Sequence, residues 1–141
     1  MDISEHLSLD EFQHSDTAIA HNLDNTMPDE LMGNAQALGS KLFEPVRALL
    51  GVPLKVDSGY RSPELNQLVR GVPTSQHTKG QAVDFIPQGM ALADAFEKIV
   101  GSGLIWDQLI CEHDGAGHMW IHMSYAVARN RQEIIRNLLK A

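Results

Sequence analysis

Three residues of this chain have the types and spacing of ligands for a catalytic metal ion. His77 lies in the polar segment SQHTKGQAVDF, and Asp84 follows it seven residues later in the same segment. His122 lies further along the chain, in HMWIHMSY. Two imidazoles and one carboxylate are the three protein ligands typical of a catalytic zinc ion that keeps a fourth position open. Because zinc lowers the pKa of its bound water to about 7, this set predicts hydrolysis assisted by one Zn²⁺ ion.

A free carboxylate beside the ion is also required, because protons must be moved during hydrolysis. LIWDQLICE and HMWIHMSY have the pattern of two strands joined by the turn HDGAG, so Glu112 and His122 can share one face of a hairpin. Glu112 is therefore the candidate general base towards water and general acid towards a leaving amine. Asp114 and His118, in and beside the turn, remain alternatives for the carboxylate or ligand role.

Hydrophobic periodicity predicts the elements that position these residues. Apolar residues at spacings of three and four predict an amphipathic helix from Pro28 to Gly51, and shorter helices at RSPELNQLVRG and from Met90 to Val100. PLKVDSGY and QAVDFIP are typical of strands, as are the two halves of the hairpin. The predicted fold class is α+β, with a small, largely antiparallel sheet flanked by helices.

Length and composition favour a single domain over residues 1–141. The chain has 141 residues, of which 43% are apolar, and this is enough for one core. Residues 1–27 are predicted to be a leader arm, irregular apart from a short helix that begins after a capping box of Ser8 and Glu11. Residues 126–141 are predicted to form a basic amphipathic helix, which either packs on the domain or contacts an anionic envelope.

Charge and hydropathy exclude several classes of protein. The net charge is −7, and residues 126–141 carry +3, which leaves −10 on residues 1–125. Such an acidic body repels phosphate backbones, so we expect no nucleic-acid partner. No stretch approaches the roughly eighteen apolar residues of a membrane span. The start of the chain has neither the basic nor the apolar region of a secretory signal, so we expect synthesis in a cytoplasm.

The one cysteine, Cys111, excludes an intramolecular disulfide framework. Its proximity to His113 raises a thiol peptidase as an alternative chemistry. A strand residue next to Glu112 points to the opposite, apolar side, however, where thiols are commonly buried and inert. A serine hydrolase has no support, because the chain lacks the Gly-x-Ser-x-Gly turn that exposes such a nucleophile.

Two motifs make the chain similar to a known family. SGYRSPELN, residues 58–66, and SQHTKGQAVD, residues 75–84, resemble the zinc murein peptidases, which include D-Ala-D-Ala carboxypeptidases and phage L-Ala-D-Glu endopeptidases. WIHMSY supplies the last zinc histidine of the signature. The stretch from Trp106 to His122 also resembles a strand pair of the hedgehog signalling domain, a relative of these peptidases. The resemblance covers about residues 8–125 and implies their fold.

The resemblance implies a role for each residue that matches the family's motifs. It makes His77, Asp84 and His122 the zinc ligands and Glu112 the catalytic carboxylate. It makes Arg61 the cation over the substrate carbonyl, where its guanidinium would stabilise the charge of the oxyanion. We assign substrate contacts to three further residues, the last at a position where some relatives have another histidine: Ser75, Gln76 and Trp120.

The resemblance also implies the reaction, which is hydrolysis of an amide bond in the peptide stem of bacterial peptidoglycan. Similarity to phage and prophage endolysins favours an L-Ala-D-Glu endopeptidase, with a D-Ala-D-Ala carboxypeptidase as the alternative. A module that binds zinc and the cell wall without turnover is an alternative of another class, given the hedgehog resemblance. We expect a monomer that acts on the periplasmic cell wall.

Overall fold

The computed structural model describes residues 2–140, which contain six α-helices and seven β-strands. The helices are α1 Leu9–Gln13, α2 Asp16–Ala20, α3 Met32–Leu38, α4 Glu44–Leu50, α5 Pro63–Leu68 and α6 Leu92–Val100. The strands are β1 Asp2–Ser4, β2 Leu7–Ser8, β3 Leu54–Ser58, β4 Ala82–Pro87, β5 Gln108–His113, β6 Met119–Ser124 and β7 Glu133–Leu139. Within residues 2–140, no helix has the length and apolar composition that crossing a membrane requires.

Five strands form one mixed sheet in the order β3-β4-β6-β5-β7. The first three pairings are antiparallel, whereas β5 and β7 run parallel. The strands β1 and β2 form a separate antiparallel pair. The predicted α+β class with a largely antiparallel sheet is therefore confirmed, although the parallel pair was not predicted. The closer likeness to the hedgehog domain stays a prediction.

The two faces of the sheet have different roles. One face belongs to the core, which it shares with residues of α3, α4 and α6. The side chains that β4, β5 and β6 bury in this core are Val83, Phe85, Leu109, Cys111, Ile121 and Met123. The intervening side chains project to the other face because strand residues alternate. They include Asp84, Glu112 and His122, so a hydrophobic core lies directly beneath the polar residues.

The N-terminal segment is more regular than the predicted arm. The capping box is confirmed, since the amide of Glu11 donates to the hydroxyl of Ser8 (3.1 Å) and the amide of Ser8 donates to the carboxylate of Glu11 (2.9 Å). The prediction that the rest would be irregular is wrong, because β1 pairs with β2 and Ser15 caps α2. Side chains of this segment enter the core, among them Leu7 and Phe12.

The helical segment after Pro28 ends at Gly51, as predicted, where φ is +68°. It is not a single uniform α-helix. A 3₁₀ turn at Asp29–Leu31 precedes α3, and a π-helical turn at Gly39–Phe43 joins α3 to α4. A Cβ atom at Gly39 would lie 2.9 Å from the hydroxyl of Ser4, so β1 packs closely against this turn.

The predicted basic amphipathic helix over residues 126–141 is wrong. Residues Glu133–Leu139 form β7, which pairs with the edge of β5. The paired positions Ile134, Ile135, Leu138 and Leu139 have helical spacing, but a bulge between Ile135 and Leu138 lets both of these side chains line the same side of the strand. A helix this short gains little without packing, whereas the open edge of β5 offers a row of backbone partners.

The predicted envelope-binding surface of this segment loses its basis with the helix. Arg136 pairs with Glu97 of α6 (Nε to Oε2, 3.0 Å). Arg131 donates to Asp107 from its backbone amide, from Nε and from Nη2, at 2.8, 2.9 and 2.9 Å. Two of the basic side chains are therefore neutralised within the domain, and Arg131 anchors the segment that precedes β7.

We expect Arg131→Ala to destabilise the fold by about 2 kcal/mol near neutral pH, because it leaves a buried carboxylate without its charged partner. The Arg131 hydrogen bonds hold the pKa of Asp107 below its ordinary value of 3.8. The stabilisation is therefore fully present above pH 3.8, the unfolded value, and is lost as the pH falls through the lower native pKa. Chemical denaturation near pH 7 and again near pH 2 should show the difference shrinking in acid.

The matched control is Arg129→Ala, because Arg129 is exposed nearby. Its effect should stay within about 0.5 kcal/mol at either pH. A loss in Arg131→Ala that is the same at both pH values would contradict the assigned ion pair.

Candidate active site

His77, Asp84 and His122 come together on the polar face of the sheet, and all three are buried. One ligand atom from each lies within 4.8 Å of the other two. Nδ1 of His122 lies 2.9 Å from Oδ1 of Asp84, and Nε2 of His77 lies 3.3 Å from the same oxygen. Asp84 and His122 are register partners on β4 and β6, so the sheet itself sets their separation.

His77 reaches this cluster from the 3₁₀ turn Gln76–Lys79, which precedes β4. The hydroxyl of Ser75 accepts a hydrogen bond from the His77 amide (3.3 Å), and Gly80 ends the turn with φ of +68°. Nδ1 of His77 lies 2.7 Å from the carbonyl oxygen of Gly59. A carbonyl can only accept, so Nδ1 carries the proton and Nε2 keeps its lone pair for a cation.

The carbonyl of Gly59 is placed by contact between the N-terminal segment and the loop after β3. The amide of Tyr60 donates to the carbonyl of Phe12 (2.8 Å). A Cβ atom at Gly59 would collide with that same oxygen, so only glycine fits here. Asn25 joins the two segments as well, because it donates to the carbonyl of Tyr60 (3.0 Å) and accepts from the amide of Ser62 (2.7 Å). The N-terminal segment thus holds the acceptor that orients the imidazole.

Burial and mutual contact set the charges within the cluster. Burial lowers the pKa of His77, so its ring is neutral near pH 7. Burial also opposes the charge on Asp84, but the two imidazoles that face this carboxylate outweigh it, and the pKa of Asp84 lies below its ordinary value. The cluster therefore presents an ionised carboxylate to a neutral imidazole nitrogen.

The donor set fits a divalent cation. Nε2 of His77 and Oδ1 of Asp84 are both electron-pair donors, and they lie 3.3 Å apart. Two such atoms repel each other unless a proton or a cation lies between them. A metal ion bound by both atoms and by His122 would remove this repulsion. Two nitrogens and one carboxylate oxygen match the ligands of catalytic zinc sites.

Glu112 faces the same cleft from β5 and is buried. It is the register partner of Trp120 on β6, whose indole Nε1 donates to Oε1 of the glutamate (2.7 Å). Its other oxygen, Oε2, lies 3.7 Å from Nζ of Lys140. Burial raises the pKa of Glu112, which is the direction required of a group that accepts and returns a proton near neutral pH.

Arg61 lies beside the three-residue cluster, on the wall of the cleft. Its Nη2 is 3.6 Å from Oδ2 of Asp84. Nε donates to the hydroxyl of Ser58 (3.2 Å), and Nη1 donates to the side-chain oxygen of Asn66 (3.3 Å). These contacts hold the guanidinium in one orientation, next to the Asp84 carboxylate on the wall of the cleft.

The three predicted substrate-binding residues line the cleft, but the protein already uses part of each side chain. The Ser75 hydroxyl caps the turn that carries His77, and the indole of Trp120 orients Glu112. Nε2 of Gln76 donates to Gln81 (3.3 Å), while its Oε1 is buried without a hydrogen-bond partner among residues 2–140. Their contact with substrate stays a prediction.

The cleft has a volume of about 520 Å³ and one wall that the sequence analysis missed. The sheet and the segment between α5 and β4 form the part that was expected. The additional wall comes from β7, the edge strand beside β5, and from residues next to it, which contribute Arg131, Ile135, Leu138 and Lys140. One feature of the sequence did favour a strand here: Ile134 and Ile135, near the start of β7, are β-branched. This feature does not indicate which strand β7 pairs with.

The alternative residues lie apart from the cluster. His118 and Asp114 pair with each other in the turn between β5 and β6 (3.0 Å), and His118 is exposed. Cys111 points into the core, and burial raises the pKa of its thiol, so it is not a reactive thiolate. The thiol chemistry therefore has no structural support.

A cleft in which two imidazoles and a carboxylate converge beside a separate buried carboxylate is the arrangement of a metal-dependent hydrolase. The model of the Peptidase M15 family matches residues 5–124. The chain therefore belongs to this family of zinc murein peptidases, as its two motifs predicted, and membership makes it a metallopeptidase. No curated protein sequence is significantly similar to the chain.

Proposed function

We propose that the protein is a zinc-dependent peptidoglycan peptidase of the phage or prophage endolysin type, with L-alanyl-D-glutamate endopeptidase activity. The observation that carries this proposal is the convergence of His77, Asp84 and His122 beside Glu112 in one cleft. Membership of the Peptidase M15 family supports both zinc chemistry and peptidoglycan as the substrate. The resemblance of its motifs to phage endopeptidases favours the bond named here.

Five side chains of the cleft have a defined task in the proposed reaction. His77, Asp84 and His122 would hold the zinc ion, which supplies Lewis acidity towards water and the scissile carbonyl. Glu112 accepts a proton from the attacking water and returns it to the leaving amine. Trp120 keeps the Glu112 carboxylate in place, because its indole donates to one of the two oxygens.

Arg61 would stabilise the oxyanion that forms from the carbonyl. We expect Arg61→Ala to lower kcat about 100-fold, the usual cost of removing one donor to such an oxyanion. Arg61→Lys should retain part of the rate, because it keeps the charge but loses the planar fork. Steady-state kinetics, together with the zinc content of each variant, check this. Unchanged kcat in a zinc-loaded Arg61→Ala enzyme would remove Arg61 from the reaction, and Arg129→Ala serves as the control.

Digestion of purified peptidoglycan tests the proposed function directly. Zinc-loaded protein and a chelator-treated sample are incubated with Gram-negative peptidoglycan, and the released fragments are identified by mass spectrometry. We expect cleavage that the chelator abolishes and that added zinc restores. Fragments that begin at D-glutamate identify the endopeptidase, whereas free D-alanine would identify a D-Ala-D-Ala carboxypeptidase. Bound zinc without any cleavage would contradict an enzyme and favour a module that only binds the cell wall.

A further inference from the structure

Lys140 places a positive charge beside Glu112 in the cleft. It lies outside the part of the chain that the family model matches. The match ends at residue 124, and β7 follows it in the sequence and pairs with β5. The amide of Lys140 donates to the carbonyl of His113 (2.8 Å), which fixes the backbone beside the end of β5. Nζ lies 3.7 Å from Oε2 of Glu112, and the Lys140 side chain is 51% exposed.

The ammonium of Lys140 is able to bind a further anion. Its contact with Glu112 is longer than a hydrogen bond, and an ammonium has three donors. Two guanidinium groups of the cleft have other partners or tasks, since Arg131 binds Asp107 and Arg61 borders Asp84, where it is proposed to stabilise the oxyanion. The protein as a whole carries a net charge of −7, so an anionic substrate gains from a cation placed inside the cleft.

The position of Glu112 indicates which part of a substrate reaches Lys140. A general acid returns its proton to the leaving amine across about 3 Å. Nζ of Lys140 lies 3.7 Å from the same carboxylate, so it is next to the group that must reach the leaving amine. In an amino acid, the amine and the α-carboxylate are attached to one carbon atom. The α-carboxylate of the residue that supplies the leaving amine therefore comes within reach of this ammonium.

We propose that Lys140 is a specificity-determining residue that binds the free α-carboxylate of the leaving residue, an inference that rests on the proposed function. Both bonds considered above release such a residue. It is the terminal D-alanine in one case and, in the other, a D-glutamate whose γ-carboxyl forms the next amide bond. Amidation of this α-carboxylate removes the negative charge and with it the partner of Lys140.

The test combines enzyme variants with two substrates. Synthetic stem peptides contain the bond that the wild-type enzyme cleaves, with the α-carboxylate of the leaving residue either free or amidated. We expect kcat/KM of the wild type to be about tenfold higher for the free carboxylate, the value of one partly exposed hydrogen bond between charges. Lys140→Gln should lose this preference, because its kcat/KM should fall for the peptide with the free carboxylate and stay unchanged for the amidated peptide. Lys140→Arg should retain the preference.

Lys98→Gln is the matched control, because Lys98 is exposed on α6 and does not line the cleft. It should cleave both peptides at the wild-type rate. Equal losses on both peptides in Lys140→Gln would overturn the proposal, since that is the result expected if Lys140 only orients Glu112. No loss on either peptide would overturn it too. If the wild type cleaves neither these peptides nor peptidoglycan, the proposed function itself fails, and the role of Lys140 fails with it.

Discussion

Glu112→Gln is expected to fold, to bind one zinc ion and to lose kcat/KM about 10³-fold. Glutamine has the shape of glutamate, and its oxygen still accepts a hydrogen bond from the indole of Trp120. Its amide cannot accept a proton from water or return one to an amine, so the loss isolates proton transfer from metal binding. Cleavage rates, zinc analysis of the purified variant and its thermal unfolding curve together check this expectation.

Glu64→Gln is a suitable control, because Glu64 is exposed on α5 and does not line the cleft. It should match the wild type in rate, zinc content and stability. A Glu112→Gln variant that retains full activity would show that another group moves the proton.

Asp84→Asn is expected to reduce the zinc content from one ion per chain to almost none and to reduce cleavage to background. Asparagine keeps the volume of the side chain but removes the one negative charge among the three ligands. The guanidinium of Arg61, 3.6 Å from Oδ2, would then lack the carboxylate that faces it. Both changes weaken the attraction for a divalent cation in a buried place, where electrostatic effects are large.

Thermal unfolding with and without added zinc gives a second readout that does not depend on activity. A ligand at 100 times its Kd stabilises the folded state by about 2.7 kcal/mol, so wild-type unfolding should shift upward with zinc. Asp84→Asn should show no such shift. Asp57→Asn is the control, since Asp57 lies on the neighbouring strand β3 and is exposed. An Asp84→Asn variant that zinc still stabilises would contradict the proposed ligand set.

Strand periodicity was sufficient to predict that Glu112 and His122 share a face. The period of two along a hairpin assigns each side chain to one side, and a short turn leaves little freedom in the register. His77 is different because it lies in a 3₁₀ turn without such a period. Its position was inferred from the motif around it. Its orientation depends on a hydrogen bond to the carbonyl of Gly59, which is distant in the sequence, so local sequence patterns do not predict it.

The failure at β7 has a definite physical origin. Ile134, Ile135, Leu138 and Leu139 have the spacing of an amphipathic helix, and nothing local contradicts that interpretation. The bulged strand of the structure divides these side chains differently, because Ile134 packs against the core whereas Ile135 and Leu138, on either side of the bulge, line the cleft. What decides between the two is the unpaired edge of β5, which is a property of the assembled sheet. The cleft wall and Lys140 were missed for the same reason.

The N-terminal segment contacts the loop that carries Gly59. These contacts couple the docking of this segment to metal binding at His77. Asn25 and Phe12 hold this loop, and Gly59 in turn holds the imidazole of His77. By thermodynamic linkage, metal binding and docking of the N-terminal segment must stabilise each other by the same free energy. We therefore expect opening of this segment to weaken zinc binding, and bound zinc to protect the segment against opening.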